Sequence, residues 1–311
     1  MRDLFGDRLA GRVDARASQV VVGLDPDPMR LWPQAYELTE GERPREAERS
    51  RSGRAASAVG IHCALVIEAV AESAVAIKLQ VACFERLGAP GWAALSETVE
   101  RASERGLLVL ADAKRGDIDV TAAAYAQAYF GATPTPYGDV AGVTADGLTV
   151  NPLLGADSLA PLVDEARDRG AGLFILVRTT NMGAADVQER RLAEGGTVSE
   201  RLAEMVRELG RDGVGRAGLS DVGAVVGATA PDRLARLREL MPEAPFLVPG
   251  VGAQGGRVEA LAPALGAHPA SILVSASRSI VAAHEQRGGD PAEAARREAA
   301  RLQELAWGLE A

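Results

Sequence analysis

Three charged residues in one short segment are spaced so that they could act together in chemistry. Asp112, Lys114 and Asp117 follow the apolar run 107–111, which is typical of a buried strand. Because strand side chains alternate between faces, Asp112 and Lys114 are expected to point together onto the core-facing side. Buried charges need partners. The spacing therefore predicts a site of paired charges; the alternative is an exposed turn in which Asp117 caps the next helix.

The elements that would position this segment are eight short apolar runs. Stretches of helical period lie between most of them, so strand and helix alternate along the chain. Eight such units favour a closed (β/α)8 TIM barrel, an α/β fold, over an open doubly wound sheet. The runs are 20–24, 75–79, 107–111, 148–150, 173–177, 222–226, 246–248 and 272–274.

The whole chain, residues 1–311, is expected to form a single barrel domain, because no composition break suggests a second one. A barrel of this type usually needs about 250 residues, so the additional length predicts insertions. One is expected near 38–54, which is rich in charge, and another near 131–146, which contains prolines and glycines. Both are predicted to be surface loops or extra helical turns.

Polar residues at the ends of the runs are candidate site residues, because barrel enzymes place their sites at the carboxyl ends of the strands. Asp25 follows the first run, Lys78 lies within the second, and Thr180 follows the fifth. Ala76 and Gln80 share a face with Lys78, which favours the barrel interior for the lysine. The alternative is a lysine that extends its ammonium group to the surface.

A glycine-rich segment follows the seventh run, where Gly250, Gly252 and Gly255 satisfy the pattern GxGxxG. The segment does not open the first βα unit, so a dinucleotide site is poorly supported. A glycine loop with free backbone N–H groups, followed by an arginine, is instead typical of phosphate binding after strands seven and eight. Arg278 would supply charge-assisted hydrogen bonds and Gln254 an amide donor. The alternative is a tight turn with Arg278 on the surface.

Composition limits the partners and the compartment. A net charge of -9 and a pI near 5.1 argue against nucleic acid or an anionic membrane as a partner. The first residues lack the apolar stretch of a signal peptide, which predicts a cytoplasmic protein. Cys63 and Cys83 are expected to be reduced thiols. His62, His268 and His284 lack metal-ligand spacing, so no metal site is predicted.

Together these residues resemble the orotidine 5'-phosphate decarboxylase family, most closely its bacterial type 2 branch. The resemblance spans most of the chain, with the motifs in family order. It implies an enzyme that converts orotidine 5'-phosphate (OMP) to uridine 5'-phosphate (UMP) and CO2 in pyrimidine biosynthesis, with no metal or organic cofactor. It also implies a homodimer with shared active sites. The motifs are Asp25, Lys78, Asp112-x-Lys114-x-x-Asp117-Ile118 with Thr121, the Thr180 region, Pro249-Gly-Val-Gly-Ala-Gln-Gly-Gly256 and Ser277-Arg278-Ser279.

The resemblance also implies a role for each residue. Loss of CO2 leaves a carbanion at C6 of the pyrimidine that the ring cannot delocalise, so the protein must stabilise it electrostatically. Lys114 is expected to stabilise and protonate this carbon, and Asp112, Lys78 and the partner's Asp117 are expected to hold the lysine charged and oriented. Thr121 is expected to reach the partner's site with Asp117. The expected substrate-binding residues are Asp25, Thr121, Thr180, Gln254, Arg278, Gly252 and Gly255.

Two departures from the family pattern are minor. Asp119 and Val120 stand where a small or proline-containing pair is more usual, and Thr180 replaces a common serine while keeping a hydroxyl group.

Two other functions fit the same fold. The hexulose-phosphate synthases and ketogulonate-phosphate decarboxylases also carry DxKxxD, but they use Mg2+, held partly by a glutamate at the second strand. Lys78 stands at that position here, and its ammonium group would repel the metal. A non-catalytic barrel that binds a phosphometabolite would need only the phosphate loop. Such a protein would leave Asp112, Lys114 and Asp117 without a function.

Overall fold

The strands form a closed parallel barrel. The structure is a computed structural model that describes residues 3–41, 50–228, 231–252 and 255–309. Eight parallel strands follow one another around the barrel in chain order, which confirms the predicted TIM barrel, and each predicted run falls on one of them. They are β1 (Val20–Leu24), β2 (Ala76–Gln80), β3 (Leu108–Arg115), β6 (Gly147–Val150), β7 (Gly172–Arg178), β8 (Val222–Val226), β9 (Phe246–Val248) and β10 (Ile272–Ala276), while β4 (Ala132–Thr133) and β5 (Val140–Ala141) form a separate antiparallel pair.

Helices surround the barrel, and several begin after a residue whose side chain caps the first turn. Ser50 and Asp290 accept hydrogen bonds from backbone N–H groups of the helices that follow them, and Thr197 forms a capping box with Glu200. The helices are α1 (Phe5–Arg16), α2 (Pro33–Gly41), α3 (Arg51–Val70), α4 (Val81–Glu85), α5 (Ala89–Glu104), α6 (Asp119–Tyr129), α7 (Ala156–Arg169), α8 (Ala184–Val187), α9 (Val198–Gly210), α10 (Pro231–Leu240), α11 (Arg278–Val281), α12 (Ala283–Arg287) and α13 (Pro291–Trp307).

Two apolar cores hold these layers together. The larger lies between the outer faces of the strands and the helices. The smaller fills the barrel interior, where Leu110 and Phe174 pack with residues of α1. Phe5 of α1 meets Phe174 edge to face at 5.8 Å between ring centroids. Because α1 and apolar side chains fill the amino end of the barrel, open space for a ligand lies at the carboxyl end.

The two predicted insertions differ in secondary structure. Residues 38–41 end α2, residues 51–54 begin α3, and residues 42–49 lie outside the described part of the chain. The segment 131–146 contains the β4–β5 pair, with the fully exposed Tyr137 between the strands. The extent of the single domain over residues 1–311 stays a prediction.

Helix α3 is long and apolar enough to cross a membrane by length and composition alone. In the fold, however, 56% of its most apolar stretch is buried. It packs against α2, α5 and α13, as a core helix of a barrel does.

Candidate active site

A polar cavity of about 220 Å³ opens at the carboxyl ends of the barrel strands. Every barrel strand, or the loop that follows it, contributes to its lining. A second cavity of about 740 Å³ adjoins the first and shares Asp25, Ser277 and Arg278 with it. The smaller cavity is lined by Asp25, Lys78, Gln80, Asp112, Lys114, Thr149, Leu176, Thr179, Thr180, Val225, Leu247, Pro249, Gly250, Val251, Ser275, Ser277 and Arg278.

Four of the sequence-predicted residues form a chain of alternating charges in this cavity. Lys78 Nζ donates to Asp112 Oδ2 at 2.7 Å, and Lys114 Nζ donates to Asp112 Oδ1 at 2.6 Å. Asp25 Oδ1 lies 3.9 Å from Lys78 Nζ. The side chain of Lys78 is 8% exposed and that of Asp112 is 11% exposed, whereas that of Lys114 is 45% exposed. The ammonium group of Lys114 is therefore more accessible to a molecule in the cavity than that of Lys78.

The two lysines keep the central carboxylate ionised. Burial by itself would raise the pKa of Asp112, but the ammonium groups of Lys78 and Lys114 outweigh it and lower this pKa to about 2. Burial would lower the pKa of Lys78, yet Asp112 and Asp25 reverse that effect and raise it. Both groups are therefore charged at neutral pH, and the network holds two positive and two negative charges.

A bulge in β3 sets the direction of the Lys114 side chain. Ala111 pairs with Leu148, but the next pairing joins Arg115 to Val150, so the regular alternation expected for β3 is interrupted. Lys114 has a positive φ of 51° within the bulge. This left-handed conformation costs a residue with a side chain roughly 1 to 2 kcal/mol. Asp112 and Lys114 do meet, as expected, but through an irregular backbone rather than through strand alternation.

The predicted phosphate loop departs from expectation in its hydrogen bonds. Gly252 and Gly255 have φ values of 77° and 88°, which explains the need for glycine. Their N–H groups are not free, because Gly252 N donates to Gly256 O and Gly255 N donates to Gly252 O, each at 2.9 Å. The prediction of free donors at these two glycines was therefore wrong: the loop closes on itself. Gly252 lines the larger cavity, Gly255 lines neither, and Gln254 lies outside the described residues.

Arg278 and Thr180 lie where the sequence placed them. Arg278 begins α11 directly after β10 and lines both cavities, and Thr180 lines the smaller one. Arg278 is also an exposed residue, as the surface alternative predicts, so its role in binding stays a prediction. Arg278 and Ser277 also line the larger cavity, which Lys114 does not line, so an anionic group could bind there beside the charged chain.

Asp117 and Thr121 do not line the cavity of their own chain. Asp117 Oδ1 accepts a hydrogen bond from Ile118 N at 2.8 Å, and no side chain caps the start of α6. The alternative in which Asp117 caps that helix is thus not observed. Ile118 and Val120 beside it are 52% and 83% exposed. The segment therefore exposes two apolar side chains close to Asp117 and Thr121.

The remaining candidate ligands give no metal cluster in the described part of the chain. No group of three or more His, Cys, Asp or Glu side chains lies in a metal-binding arrangement within residues 3–41, 50–228, 231–252 and 255–309. Cys63 and Cys83 are free thiols. Burial lowers the pKa of His62 to about 4, and its Nδ1 accepts from Trp32 N at 3.1 Å. His62 is therefore a neutral structural side chain.

Comparison with known proteins places this geometry in a family. Residues 18–297 match the Orotidine 5'-phosphate decarboxylase / HUMPS family. The chain belongs to this family. Among relatives, the orotidine 5'-phosphate decarboxylase of Rhodopirellula baltica is 40% identical over 285 residues, covering 91% of this chain and 89% of the relative. That of Deinococcus radiodurans is 46% identical over 216 residues, covering 69% and 74%. The solved structure of Leishmania donovani OMP decarboxylase matches with a TM-score of 0.72 at 32% identity, covering 98% and 99%.

Lysine is confined to two positions in this orotidine 5'-phosphate decarboxylase / HUMPS family member. Of its 34 lysines and arginines, only Lys78 and Lys114 are lysines. Every other basic position carries arginine, yet the two ammonium groups lie together in the cavity. An ammonium is a compact charge that can give up a proton, whereas guanidinium stays protonated. The two lysines of the chain are thus the two ammonium groups of the cavity.

The family motifs also left out two residues that the structure brings to the cavity. Thr149 and Gln80 both line it. Thr149 Oγ1 donates to Asp112 Oδ1 at 2.8 Å and accepts from Lys114 N at 3.0 Å. The only sequence signal for Thr149 is a hydroxyl side chain within an otherwise apolar strand. Gln80 lies two residues after Lys78, on the same strand face.

Proposed function

We propose that this protein is an orotidine 5'-phosphate decarboxylase that converts OMP to UMP and CO2 in pyrimidine biosynthesis. The observation that carries the proposal is the set of alternating charges formed by Lys78, Asp112 and Lys114. These three side chains are joined by hydrogen bonds at the carboxyl end of the barrel. The relatives named above carry the same enzyme name, which supports this reaction rather than sugar-phosphate chemistry or ligand binding alone. Conversion of OMP by the purified protein, followed by absorbance, tests it directly.

Lys114 is proposed to act at the reacting carbon. When the bond between C6 and the carboxylate breaks, its electron pair stays on C6, and CO2 leaves. An ammonium group close to C6 stabilises the developing negative charge and then donates a proton to form UMP. Lys114 suits both tasks because its ammonium group is the more exposed of the two in the cavity.

Asp112 and Lys78 are proposed to hold Lys114 in place and charged. Asp112 accepts from both lysines with separate oxygens, so its carboxylate is fixed at both ends. Lys78 in turn lies between Asp112 and Asp25. Such a fixed arrangement lowers the reorganisation needed when charge moves during the reaction. The partner's Asp117 is proposed to complete the set across a dimer interface.

The substrate's other groups are proposed to contact the rest of the cavity. Arg278, at the wall shared by both cavities, is proposed to bind the phosphate together with Gln254. Gly252 and Gly255 would then shape the loop, because their N–H groups bond within it. Asp25, which lines both cavities, is also proposed to bind the substrate, and Thr180 is proposed to contact the pyrimidine.

A homodimer with shared sites is proposed from the outward-facing segment after β3. Asp117 and Thr121 line neither of the two cavities at the barrel mouth of their own chain, and the neighbouring Ile118 and Val120 are exposed apolar side chains. Leu153, after β6, is 81% exposed at the same end of the barrel. Apolar side chains of this size at a barrel mouth suit burial against a second copy.

The remaining partner and compartment assignments follow from family and charge. We assign the protein to the cytoplasm, where a pyrimidine-synthesis enzyme meets its substrate. Its net charge of -9 argues against nucleic acid or an anionic membrane as a partner. The single domain is proposed to span residues 1–311, with the segments near 38–54 and 131–146 as surface insertions.

Turnover is expected to be independent of divalent metal. Purified protein should convert OMP to UMP equally well with and without excess EDTA, because a buried ammonium group, Lys78, occupies the second strand. Initial rates at matched ionic strength measure this. Activity that disappears with EDTA and returns with Mg2+ would favour the sugar-phosphate reaction instead.

Arg278→Ala is expected to weaken use of the phosphorylated substrate. Charge-assisted hydrogen bonds are worth about 1.5 to 3 kcal/mol each, so the loss of one should lower kcat/KM for OMP by roughly 10- to 150-fold, and the loss of a forked pair by more. Orotidine, which lacks the phosphate, should be used at nearly the same low rate by both proteins. Arg297→Ala, on the exposed face of α13, is the matched control and should behave as wild type. Equal losses for OMP and orotidine would show that Arg278 has a structural role.

A further inference from the structure

The bulge in β3 deprives Lys114 of a regular strand partner. Residues 112–114 face the single residue Thr149 of β6, whereas a regular ladder would give each its own partner. Pairing resumes beyond the bulge, where Asn151 N donates to Arg115 O at 2.8 Å. The Lys114 N–H group therefore needs a bond from outside the ladder.

The side chain of Thr149 supplies that bond. Its hydroxyl oxygen accepts from Lys114 N at 3.0 Å, and its hydroxyl proton is donated to Asp112 Oδ1 at 2.8 Å. A hydroxyl group has one proton and can also accept, so both capacities are used in this one site. Thr149 is 1% exposed. Water is therefore poorly placed to replace its hydroxyl.

We propose that Thr149 is a positioning residue for the decarboxylation, through its hydroxyl group. It joins the backbone of Lys114 to the carboxylate that binds the Lys114 ammonium group, so one hydroxyl fixes both ends of that lysine. This inference rests on the proposed function, because it concerns where Lys114 Nζ lies when C6 becomes negative. Thr149 itself acts only through Lys114 and Asp112.

The role predicts a loss in kcat rather than in KM. The phosphate is proposed to bind at Arg278, which also lines the larger cavity that Lys114 does not line, so ground-state binding should be little changed by a shift of the lysine. Stabilisation of the carbanion, by contrast, depends on where the ammonium group lies in the transition state.

Two substitutions of Thr149 test whether activity depends on its hydroxyl group or on the packing of its methyl group. Thr149→Val keeps the shape but removes the hydroxyl, and kcat should fall about 30-fold, or about 2 kcal/mol, with KM for OMP within about threefold. Thr149→Ser keeps the hydroxyl but loses a buried methyl group, and kcat should stay within about threefold of wild type. A packing role predicts the reverse order, because the serine leaves a cavity and the valine does not. Thr98→Val, which removes a buried hydroxyl on α5, is the matched control and should be fully active.

Amide proton exchange tests the hydrogen bond from Lys114 N to Thr149 independently of enzyme activity. Growth on 15N-lysine labels only the Lys78 and Lys114 amides, because the chain has no other lysine. Loss of one signal in Lys114→Ala assigns the pair. Exchange of the Lys114 amide proton with solvent should be at least about tenfold faster in Thr149→Val than in wild type, and should be close to wild type in Thr149→Ser. The Lys78 amide serves as the internal reference.

The outcomes distinguish the two proposals. An active wild type whose Thr149→Val variant keeps kcat, or whose serine variant is impaired at least as much as the valine variant, would overturn the positioning role alone. Unchanged exchange of the Lys114 amide in Thr149→Val would also overturn it. A wild-type protein that fails to convert OMP would instead overturn the proposed function.

Discussion

Lys114→Ala is expected to lower kcat for OMP on the order of 10⁴-fold while leaving a folded protein that still binds UMP. Proton transfer by a positioned side chain is worth about 10² to 10⁴ in rate, and fixed electrostatic stabilisation contributes further. Lys114 is proposed to supply both at the same carbon. Because UMP carries no carbanion, its binding should depend little on this lysine. Stopped assays for UMP formation and equilibrium titration with UMP measure the two quantities.

Lys114→Arg is the matched variant for this prediction. It keeps the positive charge and replaces the more exposed ammonium group of the cavity with the guanidinium found at all the lysine and arginine positions of the chain other than Lys78 and Lys114. Guanidinium is larger and holds its protons too tightly to protonate C6 readily. We therefore expect it to be nearly as inactive as the alanine variant. If either variant kept more than about a tenth of wild-type kcat, a loss below roughly 1.4 kcal/mol, Lys114 would lose its central role.

Mixing two inactive variants is expected to restore about a quarter of wild-type activity. Lys114→Ala and Asp117→Ala should each be nearly inactive alone, since each homodimer lacks one group in both sites. In a mixed dimer, one site receives both defects and the other receives none. Random subunit exchange makes half of the dimers mixed, and half of their sites are intact, by the symmetry of a two-fold interface. Activity after exchange, with mass-tagged subunits to confirm mixing, measures the recovery.

The structure supplies a negative control for this experiment. Asp112 Oδ1 lies 2.6 Å from Lys114 Nζ in the same chain, so the two residues belong to one site. A mixture of Lys114→Ala with Asp112→Ala should recover no activity, because every site of a mixed dimer keeps one defect. If this control mixture recovered activity, recovery with Asp117→Ala would no longer show that Asp117 acts in the partner's site. Absence of recovery with Asp117→Ala, despite exchange, would place Asp117 in its own chain's site.

The sequence by itself determined the barrel and most of the charged site. Eight apolar runs separated by helical stretches were sufficient because burial on both faces makes barrel strands continuously apolar. Asp25, Lys78 and Asp112 lie on or directly after those strands, so the carboxyl ends of neighbouring parallel strands bring them together. Lys78 and Lys114 are also distinguished by composition, as the only lysines in the chain.

The tertiary structure decided how the site is held. Lys114 adopts a positive φ in a bulge, and Thr149, 35 residues later in the chain, bonds to its backbone. Period-two alternation describes one strand at a time, so it contains no information about a register shift between two strands. Likewise, glycine spacing marks a loop of unusual conformation, but whether its N–H groups are free depends on carbonyl groups that only the folded loop brings near. The local sequence pattern thus predicts which residues lie at the barrel mouth. The hydrogen bonds among these residues depend on contacts between segments that are distant in the chain.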